Sequence, residues 1–220
     1  MAGSQDYQHY FEDFIGPSAA FPTSADPATA WLVADTSASG APTYVRATSN
    51  AVLTLASTSE VENVCLYHGD SLAFDIDNIQ SIEMRVKLGG AFTTGSELVF
   101  GVGSARNDTT DSVAANAWFK MVGANSTTLV YCESDDGTTD KDDIATGVAL
   151  STTCKKFYID FTGGKANVKF RIDGVPVATG TTFDMSGYSV GLQPIIQLQK
   201  AANTNVDAVT IDYVDIKCKR

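Results

Sequence analysis

The sequence predicts an all-β protein, more narrowly an antiparallel β-sandwich. Short runs of alternating apolar and polar residues recur along most of the chain, and turn residues separate them. No segment longer than two turns has a helical period, apart from 111–118, which we interpret as a loop leading into a strand. The 220 residues are enough for one large sandwich with a sizeable core.

The clearest of these runs form a hairpin between Lys155 and Val177. Three residues of the first run share one face, and three of the second do the same: Phe157, Ile159 and Phe161, then Val168, Phe170 and Ile172. Gly163-Gly164 and Asp173-Gly174 can adopt the positive φ angles of tight turns. Such a sheet has one apolar face, so a second layer must cover it.

The N-terminal part predicts one strand and then an extended arm. Residues 7–15 alternate weakly and suit an edge strand. Residues 16–42 hold most of the prolines, which remove ladder donors, and only Trp31-Leu32-Val33 suggests a short strand there. We therefore divide the chain into residues 1–43, the N-terminal strand and proline-rich arm, and residues 44–220, the sandwich.

The remaining strands follow at the spacing expected for a sandwich. They are predicted at 44–47, 51–55, 61–67, 72–74, 81–88, 97–102, 117–122, 127–132, 194–200 and 208–217. Residues 135–143 are predicted to be an acidic loop, and residues 183–188 a second loop.

Composition limits the range of partners. The formal net charge is −11 and the isoelectric point is near 4.4. Nucleic acid and anionic membranes are therefore disfavoured, because both are bound by clustered Lys and Arg. No apolar run approaches the roughly 18 residues of a spanning helix, and the first residues do not resemble a secretion signal. We expect synthesis and assembly in the cytoplasm, without a cofactor.

The four cysteines are widely spaced and form no CxxC pair, so the sequence offers no zinc or thioredoxin motif. We expect buried or half-buried thiols at Cys65, Cys132, Cys154 and Cys218. A Cys132–Cys154 disulfide is the alternative.

No catalytic residue is assigned. His9 and His68 are the only bases for a nucleophile, and each is expected at the surface or in a turn. In jelly-roll glucanases the acids alternate along one strand and share a face. Asp75 and Asp77 lie beside a turn, and the spacing of Asp212 and Asp215 predicts opposite faces.

Two binding chemistries stay open. The segment from Ser134 to Asp143 carries enough oxygen ligands for calcium, but Lys141 interrupts it, and we favour a solvated loop without a metal. Sugar binding would need exposed aromatic side chains, and the candidates are Trp31, Trp118, Tyr131, Tyr158 and Tyr188. No ligand-binding residue is assigned.

Several motifs, taken in order, resemble one family. They are Leu72-Ala73-Phe74-Asp75, Ile82 to Lys87, Val99 to Gly103, Tyr158 to Phe161, Val168 to Gly174 and Ile211-Asp212-Tyr213-Val214. Together they look like the concanavalin A-like jelly roll of tailed-phage virion proteins, and at greater distance like laminin G and lectin sandwiches. The lectin calcium and sugar ligands do not appear in register.

This resemblance implies a structural virion protein, without enzymatic activity, that acts as a capsid decoration or cement protein. Its partners would be the major capsid protein or other virion proteins, and further copies of itself as a homo-oligomer. We hypothesise that the N-terminal strand or the arm contacts a neighbouring subunit. The alternatives are a carbohydrate-binding or host-adhesion module and a jelly-roll glycoside hydrolase. Neither the partner nor a head or tail location follows from the sequence.

Overall fold

A computed structural model describes residues 7–220 and confirms the predicted antiparallel β-sandwich. The first nine strands are β1 (Tyr7–Glu12), β2 (Ala19–Ala20), β3 (Leu32–Asp35), β4 (Thr43–Ala47), β5 (Asn50–Thr54), β6 (Glu60–Tyr67), β7 (Phe74–Asp75), β8 (Ile79–Leu88) and β9 (Ser96–Gly103). The others are β10 (Asn116–Val122), β11 (Leu129–Asp135), β12 (Asp140–Ala149), β13 (Lys155–Asp160), β14 (Lys169–Ile172), β15 (Val175–Val177), β16 (Gly191–Asn203) and β17 (Ala208–Lys219). Two short 3₁₀ helices occur at Thr110–Ser112 and Lys165–Asn167.

Two sheets form the layers. Sheet A has the order β15-β14-β13-β8-β17-β5-β4-β2, with β1 also paired to β17. Sheet B has the order β12-β11-β10-β9-β16-β6-β3, with β7 paired to β16. One large apolar core lies between the sheets, because every long strand turns its alternate apolar residues inward.

The predicted central hairpin is present. In β13 and β14, Phe157 pairs with Ile172 and Ile159 with Phe170. Asp173 and Gly174 both have positive φ, as a tight turn into β15 requires. The first connection is longer than the glycine pair suggests, because residues 161–168 form a loop that contains the second 3₁₀ helix.

The N-terminal segment packs along its own sandwich. The predicted edge strand is β1, which pairs with β17, while β2 pairs with β4 and β3 with β6. Phe14, Phe21 and Trp31 are buried in the main core. Residues of the proline-rich arm therefore contribute to both sheets and to the packing between them.

One long strand was not predicted. Strand β12 spans Asp140–Ala149 and pairs with β11, whereas the sequence indicated an acidic loop over 135–143. None of its residues is fully buried, and the register shifts twice along the pair. The strand therefore has no alternating apolar face, which is the signal that sequence analysis uses to find strands.

The cysteines match the thiol expectation. Cys65, Cys132 and Cys218 are buried and Cys154 is half-buried, and all four are free thiols. Burial raises the pKa of Cys218 to about 11 and that of Cys65 and Cys132 further still. In residues 7–220, neither short helix is long or apolar enough to cross a membrane.

Candidate functional site

The outer face of sheet B is partly covered by the segment 104–115, which we call the strap. Its Val113 packs on Val99, Trp118 and Ile195 in a small apolar cluster separate from the main core. Gly101 makes this packing feasible, because a Cβ there would approach the Trp118 Cα to 2.6 Å. The strap therefore occupies the part of the face above the middle strands.

Amide side chains of the sheet hold the strap in place. Asn63 Nδ2 donates to the backbone oxygen of Asp108 at 2.8 Å, and Gln197 Nε2 donates to the same oxygen at 3.1 Å. Gln193 Nε2 donates to the backbone oxygen of Ser104 at 2.9 Å. Since all three amides are buried, these bonds satisfy polar groups that water cannot reach.

A charged group that we call the Lys120 cluster lies at the other side of the strap. Lys120 Nζ is 2.6 Å from Asp111 Oδ1 on the strap, 2.9 Å from Glu133 Oε2 on β11 and 3.7 Å from Asp143 Oδ1 on β12. Burial raises the pKa of Glu133 to about 7, although the ammonium of Lys120 opposes this shift. The cluster joins the strap and two strands through one buried cation.

Sequence analysis missed an alternating pair of acids in this region. Glu133 and Asp135 stand two residues apart on β11 and pair with Trp118 and Asn116, so they share the outer face of sheet B. The sequence Glu133-Ser134-Asp135 shows this pattern, because two acids separated by one residue share a face of a strand. However, Glu133 is only 1% exposed, because Lys120 and Asn116 contact its carboxylate.

A groove of about 530 Å³ remains open beside the strap. Its lining includes Thr36, Asn63, Glu97, Asp108, Val122 and Gln199. Pairing of the strands places four of these side chains in one row across sheet B, from Val122 through Glu97 and Gln199 to Asn63. The strap contributes Asp108 to one wall of the groove.

Two polar groups of the groove are unusual. Asn63 is 5% exposed, yet its Oδ1 accepts no hydrogen bond in the described part of the chain. Burial raises the pKa of Glu97 above its ordinary value, although the hydroxyl of Thr110 donates a hydrogen bond to its carboxylate. A buried acceptor without a donor is costly, so a hydroxyl-bearing or amine-bearing ligand would satisfy it.

The two histidines do not form a catalytic site. His9 is exposed on β1 and its Nε2 lies 2.8 Å from Asp215 Oδ1. His68 begins the turn that contains Gly69 and Asp70, as expected, but its side chain is buried rather than at the surface. Its ring packs on Trp31, its Nε2 is 3.3 Å from the Tyr10 hydroxyl, and burial lowers its pKa to about 4.

The two acid pairs identified in the sequence, Asp75 with Asp77 and Asp212 with Asp215, form hydrogen bonds or ion pairs within the fold. Asp75 accepts the backbone N–H of Asp77 at 3.0 Å, as expected for a turn. Asp212 and Asp215 do not point to opposite faces, because a β-bulge follows Ile211. Asp212 binds Arg85 and Asp215 binds His9, both on the outer face of sheet A.

The acidic segment does not assemble a calcium site. In residues 7–220, no three His, Cys, Asp or Glu side chains are grouped so that they could hold a metal ion. Asp136 is buried and accepts the backbone N–H groups of Thr139 at 2.6 Å and Gly187 at 2.7 Å. Its burial raises its pKa, but these bonds outweigh that effect and lower it.

The five aromatic candidates do not form a platform. Trp31, Trp118 and Tyr131 are buried, and Tyr158 and Tyr188 are half-buried on different elements. These five rings therefore offer no common surface on which a sugar could stack.

No protein-family model matches the sequence, and no curated protein is detectably similar to it. Solved structures with the same fold are numerous. SCLam, a non-specific endo-β-1,3(4)-glucanase from family GH16, is 14% identical with a TM-score of 0.66, and the match covers 100% of this chain and 94% of that one. The carbohydrate recognition domain of Emp47p is 12% identical with a TM-score of 0.62, over 96% of this chain and 97% of that one.

A third neighbour comes from a study of endo-acting O-glycanases that human gut bacteria express to initiate mucin breakdown. It is 10% identical with a TM-score of 0.65, over 94% of this chain and 97% of that one. These matches confirm the concanavalin A-like jelly roll. They give no support to a phage origin or a capsid role.

The expectation that the protein is not an enzyme is contradicted. Glucanases and O-glycanases share its fold over nearly the whole chain, so this fold gives no ground for expecting that enzymatic activity is absent. The acids of the Glu97 row and of β11 differ from the two pairs, Asp75 with Asp77 and Asp212 with Asp215, on which that expectation was based.

Proposed function

We propose that the protein binds a carbohydrate in the groove beside the strap. The observation that carries this proposal is the buried Asn63 Oδ1, which lacks a donor at the edge of a groove that also presents Glu97 and Gln199. Sugar hydroxyls are donors and acceptors, so they match amide and carboxylate groups of residues that line one groove.

The fold neighbours support the same reading. One is a carbohydrate recognition domain and another is a glucanase that was crystallised with a bound saccharide at its active site. Their low identity, between 12% and 13%, supports the fold and the class of ligand but no individual residue. The residues of the proposed site are therefore taken from this chain alone.

Gln199→Leu tests the proposal, because it removes an amide from the groove and leaves the strand unbroken. We expect a glycan array to yield a ligand for the wild-type protein, and calorimetry to show that Gln199→Leu weakens it about tenfold. Gln80→Leu is the matched control, since Gln80 is a half-buried strand glutamine of sheet A whose side-chain amide donates to the neighbouring Ile79 carbonyl. Equal affinity in both variants would place the ligand elsewhere.

Glycoside hydrolysis in the same groove is the second candidate. Glu97 favours it, because burial raises the pKa of its carboxyl, as a proton donor requires. Asp108 lines the same groove and pairs with Arg106, so a second carboxylate is present there beside Glu97. In this mechanism Glu97 gives its proton to the glycosidic oxygen as the carbon–oxygen bond breaks, and Asp108 takes a proton from the water molecule whose oxygen bonds to the sugar carbon.

Release of reducing ends from a mixed-linkage β-glucan is the direct assay. Glu97→Gln should lower turnover about a hundredfold or more, because the amide cannot deliver a proton, while affinity for this neutral glucan changes little. Turnover that survives Glu97→Gln would exclude this assignment even if the glucan is cleaved.

The capsid and virion role remains a proposal that rests on the sequence resemblance. Glycan binding is compatible with it, since a protein on a particle surface can contact host glycans. Purified particles that carry the protein, with labelled fragments that locate it on head or tail, would support this role. Its absence from such particles would refute it.

A further inference from the structure

The two charged side chains of the groove that are not buried are both negative. Glu97 and Asp108 are carboxylates, and Asn63 Oδ1 is an acceptor without a donor. The amide nitrogen of Asn63 is already committed to Asp108, so it cannot serve a ligand. The amide nitrogen of Gln199 remains as a donor, because Gln199 Oε1 accepts from Gln197.

The one basic residue among those that line the groove does not offset this charge. Lys200 is a lining residue, but its side chain is completely buried. Its Nζ donates to the backbone oxygens of Ala56, Thr58 and Asn205 and lies 3.7 Å from Glu62 Oε2. This ammonium is therefore fully engaged below the groove floor and is not presented to a ligand.

Glu97 is the groove acid without a direct ion pair. Asp108 pairs with Arg106, whereas in the described chain no Lys or Arg lies within 4.0 Å of the Glu97 carboxylate. The ammonium of Lys120 acts on Glu97 from a longer distance and is already engaged by Asp111 and Glu133. The Glu97 carboxylate accepts a hydrogen bond from the Thr110 hydroxyl. A cation that enters the groove would supply the missing partner in a partly buried position, where charge pairs are stronger than at an open surface.

We propose that the groove selects saccharides that carry free amino groups over neutral ones, and that it excludes carboxylated or sulfated ones. This inference rests on the proposed carbohydrate binding and names the class of ligand. A protonated amine donates three hydrogen bonds and carries positive charge, so it matches Glu97 and the Asn63 oxygen. A carboxylate or sulfate only accepts, and it would face like charge with one amide donor available.

Four oligosaccharides of equal length and β-1,4 linkage test this selection. They are built from glucosamine, N-acetylglucosamine, glucose and glucuronic acid, and binding is measured by calorimetry where the amines are protonated. We expect the glucosamine oligomer to bind about tenfold more tightly than the glucose oligomer, and the glucuronic acid oligomer not to bind. The N-acetylated oligomer should lose the advantage, because it keeps the substituent and lacks the charge.

Glu97→Gln should make the glucosamine and glucose oligomers bind equally. Glu83→Gln is the matched control, because Glu83 also accepts a hydroxyl hydrogen bond, from Tyr213, but lies on the outer face of sheet A. It should keep the preference. Equal binding of the glucosamine and glucose oligomers to the wild-type protein would overturn this inference and leave carbohydrate binding intact. Absence of binding by all four, with an empty glycan array, would overturn both.

Discussion

Lys120 is the residue that holds the strap, β11 and β12 together through charge. It lies between Asp111, Glu133 and Asp143, and its own side chain is almost completely buried. A buried ion pair contributes little compared with an apolar replacement of both partners, but removal of one partner leaves a desolvated charge. The cluster therefore makes the outer face of sheet B sensitive to single substitutions.

Lys120→Met should destabilise the protein by about 3–5 kcal/mol at neutral pH, because the buried carboxyl of Glu133 then either carries a charge without a cation or must take up a proton, and both cost free energy. Chemical denaturation measures the loss. Lys155→Met is the control, since Lys155 pairs with Asp173 at 3.0 Å near the surface and should cost about 0–1 kcal/mol. Similar losses in the two variants would contradict a buried role for Lys120.

The raised pKa of Glu133 also predicts how stability depends on pH. Its pKa is about 7 in the folded protein and 4.5 ordinarily, so the folded state binds the proton more tightly. The contribution of Glu133 to the free energy of unfolding is largest below the ordinary pKa of the group. It falls by about 3 kcal/mol as the pH rises through 7. Glu133→Gln should remove this fall in denaturation curves collected across that range.

Tyr131→Phe is a suitable control for the pH experiment. Tyr131 is the neighbouring residue on the same face of β11, and phenylalanine fills its place without a titratable group. This variant should retain the decline in stability above the ordinary pKa of a glutamate. A wild-type protein whose stability is flat over the same range would refute the assignment to Glu133.

The Lys120 cluster was beyond the reach of sequence analysis. Asp111 lies on the strap, Lys120 on β10, Glu133 on β11 and Asp143 near the bulge of β12. Only the register of the paired strands brings these four residues together. The same limit explains Asp212, since a β-bulge changes the face on which a side chain lies without any clear mark in the sequence. Local alternation predicts a face only where the register is regular.

At the level of elements, the hairpin and the strap differ in how they are specified. Strands β13 and β14 were predictable, because their alternation and turn residues are local and agree with burial. The strap has no periodicity, and its position depends on buried amides from distant strands. Strand β12 was missed for a related reason, because it is a polar edge strand recognised only through its pairing with β11.

Gln197→Met should loosen the strap without removing the sandwich. Gln197 donates to the Asp108 carbonyl from a buried position, and methionine fills a similar volume without a donor. We expect a loss of about 1 kcal/mol and faster hydrogen exchange confined to residues 105–112. Gln80→Met is the control on sheet A, and it should leave strap exchange unchanged.

If the strap residues of Gln197→Met exchange hydrogen as slowly as those of the wild-type protein, the strap is held by the contact between Arg106 and Asp70 instead. Asp70 Oδ1 accepts the backbone N–H of Arg106 at 2.8 Å, so this alternative has its own contact. Because Asp108 lines the groove, loosening of the strap should also weaken saccharide binding. The two readouts together connect the amide contacts to the proposed site.

At the scale of the whole molecule, the question is whether the first 43 residues belong to the folded domain. Strands β1, β2 and β3 lie within the first 43 residues and pair with three strands of the later segment. Trp31 is completely buried and contacts the rings of Phe14 and His68. Removal of such a side chain from a core costs about 3–5 kcal/mol, which is a large part of a typical domain's stability.

The proposed contact of the arm with a neighbouring subunit needs a test that keeps the fold. Phe11 and Ile15 are exposed apolar residues of the N-terminal segment, whereas Val175 is an exposed apolar residue on the other edge of sheet A. If the N-terminal segment contacts a second copy, the double variant Phe11→Ser/Ile15→Ser should have a lower molecular mass than the wild-type protein when measured by light scattering. Val175→Ser should not.

Truncation of residues 1–42 separates the two views of the arm. If residues 44–220 were an independent domain, the truncated chain would melt cooperatively, near the temperature of the full chain. Because Phe14, Phe21 and Trp31 fill the core between the sheets, we expect loss of the cooperative transition in circular dichroism and near-ultraviolet spectra. Trp31→Phe in the full chain should retain a cooperative but lower transition, since the ring still fills most of the space. A truncated chain that melts like the full one would show that the fold does not need the arm.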